Sequence, residues 1–424
     1  MSNSESEKTT IVIVGAGYGG LSLLNNLSKT VDPQKHSVVL IDARPAFIPL
    51  PTTLRLVVSD VDDIMNQAIH PYGDHTFRNK LAGNAKYIHG SVVEIKFGEK
   101  ENGGSVLLDS GEAVRYNILV LATGSVWPKS IDFPKENRGA IEEFVEARRK
   151  EFSKASDILL VGGGAVGIEL AGELRDTYPS KSVTLIHREG HLLNATYPQK
   201  YRTGLQKQLE ARNITVLTGD EITESDASKV SEGHFPETEV VTKNGKKLKA
   251  DLIIPTWGTH PNTSYLPSDL LSSTGHVKIL PTFQLSAHPN IFAFGDIIEW
   301  KEQKMAAKAS YFHAPKVATN VVEYLRLLEV SGGSGVIDLA ASKKSAKYNG
   351  SMEMIMITNG KARSFFFRIF SQFVLNGVLF GQAGGMGYFD VLWGIVVGNW
   401  LTAMMKSKTL MVSSVPGMTG YTPK

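Results

Sequence analysis

The stretch Thr9–Gly20, TTIVIVGAGYGG, carries the pattern that decides the fold. Its first six residues are all β-branched, as expected of a buried strand in a parallel sheet, and they run directly into the glycine pattern GxGxxG of Gly15–Gly20. Residues Leu21–Leu27 then follow a helical period, and a second apolar strand over 37–41 ends in Asp42. Strand, glycine turn, helix, strand and acid in this order predict a dinucleotide-binding βαβ unit, in which Asp42 accepts hydrogen bonds from a ribose 2′-hydroxyl.

The residues of this first loop have separate tasks. Gly15 permits the tight turn from strand to helix, Gly17 lets the backbone approach a pyrophosphate, and Gly20 lets the helix pack closely on the strand. Tyr18 and Gly19 lie at the helix N-terminus, where free N–H groups and the helix dipole attract phosphate. We therefore predict that all of these residues contact a nucleotide.

The same pattern recurs in the middle of the chain. A strand over Asp157–Val161 leads into a second glycine loop, a helix follows over Ile168–Arg175, and the next strand covers 182–186. The contacts predicted for this second nucleotide are Gly162, Gly164, Gly167, His187 and Arg188.

The second unit ends in a basic pair, His187 and Arg188, where the first unit has an acid. An acid at this position favours the free 2′-hydroxyl of NAD, whereas basic residues attract the 2′-phosphate of NADP. The pair predicts that NADPH is accepted, with NADH as a further substrate. The alternative is that both residues belong to a solvated strand end.

Composition excludes several other kinds of chemistry. The 424 residues include no cysteine, which excludes disulfides, thiolate nucleophiles, iron–sulfur clusters and any relay from a flavin through a disulfide. The 11 histidines show no metal-binding spacing, so no metal is expected, and a net charge of +3 gives no case for nucleic-acid binding. The polar N-terminus lacks the features of a secretory signal, so we expect an intracellular, non-secreted protein.

Three further strands end in small residues and connect the two units: 116–121 before Thr123 and Gly124, 250–257 before Gly258, and 290–294 before Gly295 and Asp296. Together with the two glycine loops, these strands resemble the two-dinucleotide-binding-domain flavoproteins, a superfamily that includes glutathione-reductase-like enzymes and relatives of apoptosis-inducing factor. The resemblance implies FAD on the first unit and NADPH or NADH on the second. It extends the expected cofactor contacts to Arg44, Arg55, Val92, Thr123, Gly124, Gly258, Gly295, Asp296 and Met305.

The fold class implied is α/β, with two Rossmann-like, glutathione-reductase-like nucleotide-binding domains and a smaller α+β C-terminal domain. We expect the FAD-binding domain to cover residues 1–140 and 268–330, and the NAD(P)H-binding domain to cover 141–267. The C-terminal domain would cover 331–424.

Shorter stretches narrow the resemblance to the ferroptosis-suppressor branch of the apoptosis-inducing-factor-like family. These stretches are Ile41–Asp42, Leu185–His187 and the tail Met405–Val412. Members of that branch are NAD(P)H:quinone oxidoreductases, so the resemblance implies a ubiquinone-type acceptor that takes two electrons from the reduced flavin.

The same resemblance implies three catalytic residues. Glu169 would lie where the nicotinamide meets the flavin, Lys304 would stabilise the reduced flavin from the start of a helix, and Lys406 would lie near the flavin and the quinone. Two other functions stay open at this point: a reductase of a partner redox protein, and an apoptosis-inducing-factor-like redox signalling protein.

An apolar segment covers residues 365–405, and its densest part, Val391–Met405, has 15 uncharged residues, short of the roughly 20 that cross a bilayer. One interpretation is an interfacial helix on a lipid droplet, the mitochondrial outer membrane or the plasma membrane, which would bring the enzyme to its quinone. A second is packing against the protein's own core or against the second subunit of a homodimer, and a third is a helix that spans the membrane.

Overall fold

A computed structural model describes residues 8–98, 103–127, 131–223, 226, 238–257, 259–332, 337–361, 385–390, 395–397, 406, 410 and 412–422. In chain order the strands are β1 (Thr9–Val14), β2 (His36–Asp42), β3 (Ala46–Phe47), β4 (His70–Pro71), β5 (Ala85–His89), β6 (Val92–Phe97), β7 (Gly104–Leu108), β8 (Ala113–Tyr116), β9 (Ile118–Leu121), β10 (Ser125–Val126), β11 (Asp157–Val161), β12 (Ser182–His187), β13 (Thr215–Thr218), β14 (Thr238–Val241), β15 (Lys247–Ala250), β16 (Leu252–Pro255), β17 (His260–Pro261), β18 (Gln284–Leu285), β19 (His288–Ala293), β20 (Met354–Ile357), β21 (Met386–Phe389) and β22 (Ile395–Val397). The α-helices are α1 (Tyr18–Thr30), α2 (Leu50–Val58), α3 (Ile64–Ala68), α4 (Arg138–Lys154), α5 (Ala165–Thr177), α6 (Gln199–Glu210), α7 (Ala306–Lys308), α8 (Ala314–Val330) and α9 (Val415–Thr419). A π-helical turn, Ala309–His313, joins α7 to α8.

The first sheet has six strands in the order β18-β19-β9-β1-β2-β5. Strand β1 lies inside it, parallel to β2 on one side and to β9 on the other, and β19 runs parallel to β9. Residues Ile11–Val14 are buried, which is why this strand reads as an uninterrupted apolar run. Helix α1 follows β1 and packs against α8.

The second sheet has four parallel strands in the order β13-β12-β11-β16. Helix α5 follows β11 as α1 follows β1, so the chain contains two units with the same strand–loop–helix construction. This arrangement confirms the predicted α/β fold with two Rossmann-like units.

Smaller antiparallel sheets complete the described structure. They are β6-β7-β8, β10-β17, β14-β15, β3-β4 and β20-β21-β22. The first strand of the last sheet, β20, lies beside the second unit, where it contacts α5. It therefore brings the C-terminal part of the chain to the functional site.

Two large apolar cores support these sheets. One lies on the six-stranded sheet, and the other is shared by α2, α4, α5 and the four-stranded sheet. Helix α2 precedes the second unit by about a hundred residues of sequence, yet Leu54, Leu56 and Val57 belong to the second core. This helix therefore packs on α4 and α5.

The apolar segment 365–405 lies outside the described residues, except for 385–390 and 395–397. Its assignment to a membrane, a subunit interface or the core therefore stays a prediction. Among the helices that the structure describes, none has both the length and the apolar character needed to cross a bilayer.

Candidate functional site

The two glycine loops have matching geometry. Gly15 has φ +100° and Gly162 has φ +121°, a backbone region that side chains disfavour. A Cβ on Gly20 would lie 1.8 Å from the carbonyl oxygen of Gly15, and a Cβ on Gly167 would lie 2.0 Å from that of Gly162. The first and last glycines of each loop are therefore required by the fold itself.

The middle glycines, Gly17 and Gly164, are not required by the fold in the way that the first and last glycines are. Their φ values are −69° and −78°, which any residue can adopt. A Cβ on either one would find no described atom within 4 Å. Within the described residues, no side chain caps the N-terminus of α1 or α5. Both helices therefore present free N–H groups and an open approach, as a phosphate-binding site requires.

A cavity of about 430 Å³ lies over the first loop. Eleven of the predicted contacts line it: Gly15, Gly17, Tyr18, Gly19, Asp42, Arg44, Val92, Thr123, Gly124, Gly295 and Asp296. The structure thus brings together residues that are spread over most of the chain.

The acid Asp42 is fixed by the backbone around it. One carboxylate oxygen accepts a hydrogen bond from the N–H of Ala16 at 2.5 Å, and the other accepts from the N–H of Arg44 at 2.8 Å. These two bonds hold the carboxylate at the end of β2 beside the first loop, where it can receive ribose hydroxyls.

The far side of this cavity is formed by two turns. The hydroxyl of Thr123 donates to the carbonyl of Asn262 at 2.6 Å, and the hydroxyl of Ser125 donates to Asp296 at 3.0 Å. Burial raises the pKa of Asp296, although the bond from Ser125 opposes the shift. Gly295, at φ +82°, donates its N–H to Nδ1 of the buried His313 at 3.2 Å.

A larger cavity of about 1430 Å³ lies over the second loop. The predicted residues that line it are Gly162, Gly164, His187, Arg188, Lys304, Met305 and Lys406. Residues of β20 and Phe389 form an apolar wall on one side, and Trp257 and Tyr311 also line the cavity.

His187 and Arg188 have different surroundings, although they are adjacent in the sequence. Nδ1 of His187 accepts from the N–H of Gly163 at 3.1 Å, so the ring proton lies on Nε2, 3.3 Å from the carbonyl of Leu193. Burial lowers the pKa of His187, which favours the neutral ring. The guanidinium of Arg188 is 74% exposed and lies 3.4 Å from Glu189, also exposed. Of the pair, Arg188 is the one whose cation faces solvent.

The two cavities adjoin, because Tyr18 and Ala306 line both. Ala306 begins α7, so an N-terminal helix end lies at the junction. Nζ of Lys304 donates to the carbonyls of Ile298 and Trp300 at 2.7 and 3.2 Å. Burial lowers the pKa of this lysine.

Glu169 and Lys406 form an ion pair behind the wall of the larger cavity. Nζ of Lys406 lies 2.5 Å from Oε1 of Glu169 and donates to the carbonyl of Met356 in β20 at 2.9 Å. The same carboxylate oxygen accepts from the N–H of Thr358 at 2.9 Å. Lys406 lines the cavity, whereas Glu169 is buried behind it.

Three predicted contacts are placed differently, and a fourth is not described. Gly20 and Gly167 lie behind their loops, where the helix meets the strand. Arg55 is buried away from both cavities and forms a bidentate pair with Glu173, with both N···O distances 2.8 Å. Gly258 lies outside the described residues.

Sequence reasoning did not find the wall residues Met354, Met356 and Phe389, or the partner Glu173. The wall has no motif, since any apolar strand can form it. Glu173 does carry a signal, because it lies four residues after Glu169 and so projects from the same face of α5.

The comparisons with known proteins agree with this geometry. Residues 9–317 match the model of the pyridine nucleotide-disulphide oxidoreductase family, and the chain belongs to that family. FAD-dependent oxidoreductase FVFD30 of Flammulina velutipes is 39% identical over 86% of this chain and 99% of its own. Ferroptosis suppressor protein 1 of Taeniopygia guttata is 30% identical over 74% and 80%, and apoptosis-inducing factor homolog B of Dictyostelium discoideum is 29% identical over 76% and 82%.

Solved structures share the fold at low sequence identity. The sulfide:quinone oxidoreductase of Aquifex aeolicus has a TM-score of 0.63 at 14% identity and covers 97% of this chain and 92% of its own. A putidaredoxin reductase in covalent complex with putidaredoxin has a TM-score of 0.58 at 20% identity, covering 75% and 76%.

The chain is thus an FAD-dependent NAD(P)H oxidoreductase, related to the apoptosis-inducing-factor homologs and to ferroptosis suppressor protein 1. Its residues fit the two nucleotides, since both loops leave open the space where a phosphate would approach, at Gly17 and at Gly164. The disulphide in the family's description has no counterpart here, because the chain has no cysteine.

Proposed function

We propose that this oxidoreductase passes two electrons from NADPH or NADH through FAD to a ubiquinone-type quinone. The observation that carries the proposal is the meeting of the two cavities at Tyr18 and Ala306, beside the apolar wall of β20 and Phe389. FAD would occupy the smaller cavity, and the nicotinamide nucleotide would occupy the glycine-loop end of the larger one. When bound, FAD supplies the redox chemistry, accepting a hydride and passing on two electrons.

The lack of cysteine restricts the route of the electrons. No disulfide can stand between FAD and the final acceptor, so the acceptor has to come to the flavin itself. Its site must therefore border the junction of the two cavities, which favours a small acceptor or the exposed redox centre of a partner.

The size and lining of the larger cavity favour a small apolar acceptor. Its volume of about 1430 Å³ exceeds the range of roughly 300–1,000 Å³ that is usual for a small-molecule site. The side formed by Met354, Met356 and Phe389 is apolar. A quinone ring could pack on this wall.

Lys406 is suited to supply a proton on that side. Reduction of a quinone follows NAD(P)H + H⁺ + quinone → NAD(P)⁺ + quinol, so one proton must enter with the hydride. Lys406 lines the cavity, and its ammonium is held by Glu169 and by the carbonyl of Met356. Solvent would restore its proton after turnover.

The choice of nucleotide would depend on Arg188. Its exposed guanidinium can reach a 2′-phosphate, and we propose that it makes NADPH a substrate. The neighbouring Glu189 can accept from the 2′-hydroxyl of NADH, so both nucleotides would bind. His187 would act as a neutral support of the loop, since Gly163 already occupies its Nδ1.

We also propose that the segment 365–405 lies on a membrane surface that holds the quinone. The support is its composition, in which Asp390 is the one charged residue between Arg368 and Lys406 and the last 15 residues, 391–405, are uncharged. Flotation with anionic lipid vesicles tests this directly. Protein that floats supports the proposal, and protein that stays at the bottom as a stable homodimer supports the subunit interface.

The function is tested by steady-state turnover with a short-chain ubiquinone and either NADPH or NADH. Lys406→Met should lower kcat for the quinone by about tenfold or more, as general acids contribute at least that much, and should leave flavin reduction close to parental. Lys343→Met, on the exposed surface, is the matched control. Parental protein that turns over only with a ferredoxin-type partner would refute the quinone assignment.

A further inference from the structure

Arg55 and Glu173 form a buried ion pair between α2 and α5. Both side chains are nearly inaccessible, at 3% and 4% exposure, and both guanidinium–carboxylate bonds measure 2.8 Å. Arg55 comes from α2 and Glu173 from α5, the helix that begins at the second glycine loop. The pair lies away from both cavities, so its effect on the chemistry has to pass through one of these helices.

Stability alone does not account for this pair. Removing two charges from water is costly, and well-packed apolar residues of similar size are often as stable or more stable in such positions. The surroundings here are apolar, with Leu54 and Leu56 from α2 and Leu170 and Leu174 from α5 in the same core. Burial, together with the neighbouring carboxylates Asp176 and Glu169, raises the pKa of Glu173, and Arg55 opposes that shift.

Helix α5 carries three acids on one face, each held by a different part of the chain. Glu169 pairs with Lys406, Glu173 pairs with Arg55, and Asp176 pairs with Arg212. The spacing of four and three residues places the acids in one row along the helix. Arg55 is the member of this set that comes from the stretch before the second unit, so it ties α5 to α2, whose first residue, Leu50, lines the first cavity.

We propose that the Arg55–Glu173 pair is a positioning device for hydride transfer. It sets the rotation of α5 about its axis, and with it the second glycine loop at the start of the helix and Glu169 one turn before Glu173. The inference concerns the reduction of FAD by NAD(P)H, which the chain's family establishes, and it holds whatever the final acceptor is.

The mechanism requires no direct contact between Arg55 and a nucleotide. A bidentate pair resists rotation of a helix better than apolar packing does, because both bonds have fixed directions. A displacement of about 1 Å between hydride donor and acceptor can slow transfer by about a hundredfold. The pair would therefore affect the rate of flavin reduction more than the amount of FAD bound.

The test compares Arg55→Met, Glu173→Met and the double variant. Each single variant removes one member of the buried pair and leaves the opposite charge buried, so the melting temperature should fall by roughly 5 °C or more. The double variant should recover a melting temperature near the parental value and bind FAD fully. Its limiting rate of flavin reduction in anaerobic stopped flow should nevertheless fall by about tenfold or more.

Arg55→Lys covers the case in which the double variant does not fold. It keeps the cation but loses the bidentate geometry, so reduction should slow several-fold while the fold and bound FAD remain. Arg149→Met is the matched control, because Arg149 also contacts α2, through the carbonyl of Leu56 at 3.0 Å, but comes from α4. This control should keep the parental limiting rate.

Two outcomes would overturn the proposal. If the folded double variant or Arg55→Lys reduces its flavin within about twofold of the parental rate, the pair serves packing alone. If either variant stays folded but loses FAD, Arg55 acts on the cofactor directly rather than through α5.

Discussion

Alanine substitutions at Gly17 and Gly20 should separate the loop's role in binding from its role in folding. Gly17 has φ −69° and no described atom within 4 Å of an added Cβ, so alanine fits the backbone and the space. At Gly20 the added Cβ would lie 1.8 Å from the carbonyl oxygen of Gly15, far below the 3.0 Å that real Cβ contacts keep. The methyl group added at Gly17 would therefore contact only the bound ligand, whereas the methyl group added at Gly20 would clash with the protein itself.

The magnitudes follow from these distances. Gly20→Ala forces α1 away from β1, and overpacking of this kind costs about 1–3 kcal/mol or more in the free energy of unfolding. Gly17→Ala should change that free energy by less than about 1 kcal/mol, with stabilisation expected because the unfolded chain loses freedom. Its methyl group would instead displace the FAD phosphate from a charge-assisted hydrogen bond worth about 1.5–3 kcal/mol, which is roughly a tenfold to hundredfold loss of affinity.

The assay has two readings on FAD-free protein. Urea unfolding followed by circular dichroism gives the free energy of unfolding, and titration with FAD followed by flavin fluorescence gives the dissociation constant. Gly17→Ala should unfold like the parent and bind FAD weakly. Parental FAD affinity in Gly17→Ala would refute the binding role of Gly17, and parental stability in Gly20→Ala would refute the folding role of Gly20.

Three further changes extend these expectations. Gly164→Ala should keep FAD but weaken NADPH binding by roughly tenfold to a hundredfold, as measured by equilibrium titration, because this loop has the same open approach; an unchanged dissociation constant would contradict it. Burial lowers the pKa of His187 below its ordinary 6.5, so the unfolded chain takes up the proton first and stability falls as the pH drops below that value. His187→Asn keeps an acceptor for the N–H of Gly163 but does not titrate. This variant should therefore lose less stability than the parent between about pH 6.5 and 5 in thermal unfolding. An identical loss would contradict the lowered pKa of His187. Lys308→Met removes the buried cation that pairs with Glu353 at 2.8 Å. The free energy of unfolding, measured by urea titration, should fall by about 3–5 kcal/mol. A fall of less than about 1 kcal/mol would contradict a stabilising role of this pair.

The glycine loops and the acid of the first unit, Asp42, could be predicted because their geometry is local. The turn at Gly15, the close packing at Gly20 and the acid at the end of β2 follow from the order of residues in one βαβ unit. The fold class followed from finding this unit twice. The contacts at Thr123 and Asp296 came from family resemblance, and the structure brings both residues into the first cavity.

The pairings across the chain could not be predicted in the same way. Glu173 lies 118 residues after Arg55, and Lys406 lies 237 residues after Glu169. Nothing in local sequence states which cation will meet which acid over such separations, because the partners are chosen by the packing of helices and sheets. Family resemblance suggested that Arg55 contacts the cofactor, whereas the structure shows it pairing with Glu173 away from both cavities.

In the second loop, tertiary contacts change the charge that is expected from a residue's type. Read as sequence, His187 and Arg188 form a basic pair that attracts a phosphate. In the structure the ring of His187 is engaged by Gly163 and by the carbonyl of Leu193, and burial favours its neutral form. Only a hydrogen-bond partner on the folded loop reveals this difference, so charge counting from sequence cannot detect it.

Anaerobic stopped flow with a single turnover tests the proposed electron route most directly. The FAD-loaded protein is mixed with NADPH or NADH, and a short-chain ubiquinone is added once the reaction is complete. We expect the yellow flavin colour to bleach rapidly with either nucleotide and the quinone to restore it. Slow bleaching into a long-wavelength band that the quinone does not discharge would contradict this electron route and favour a redox signalling protein.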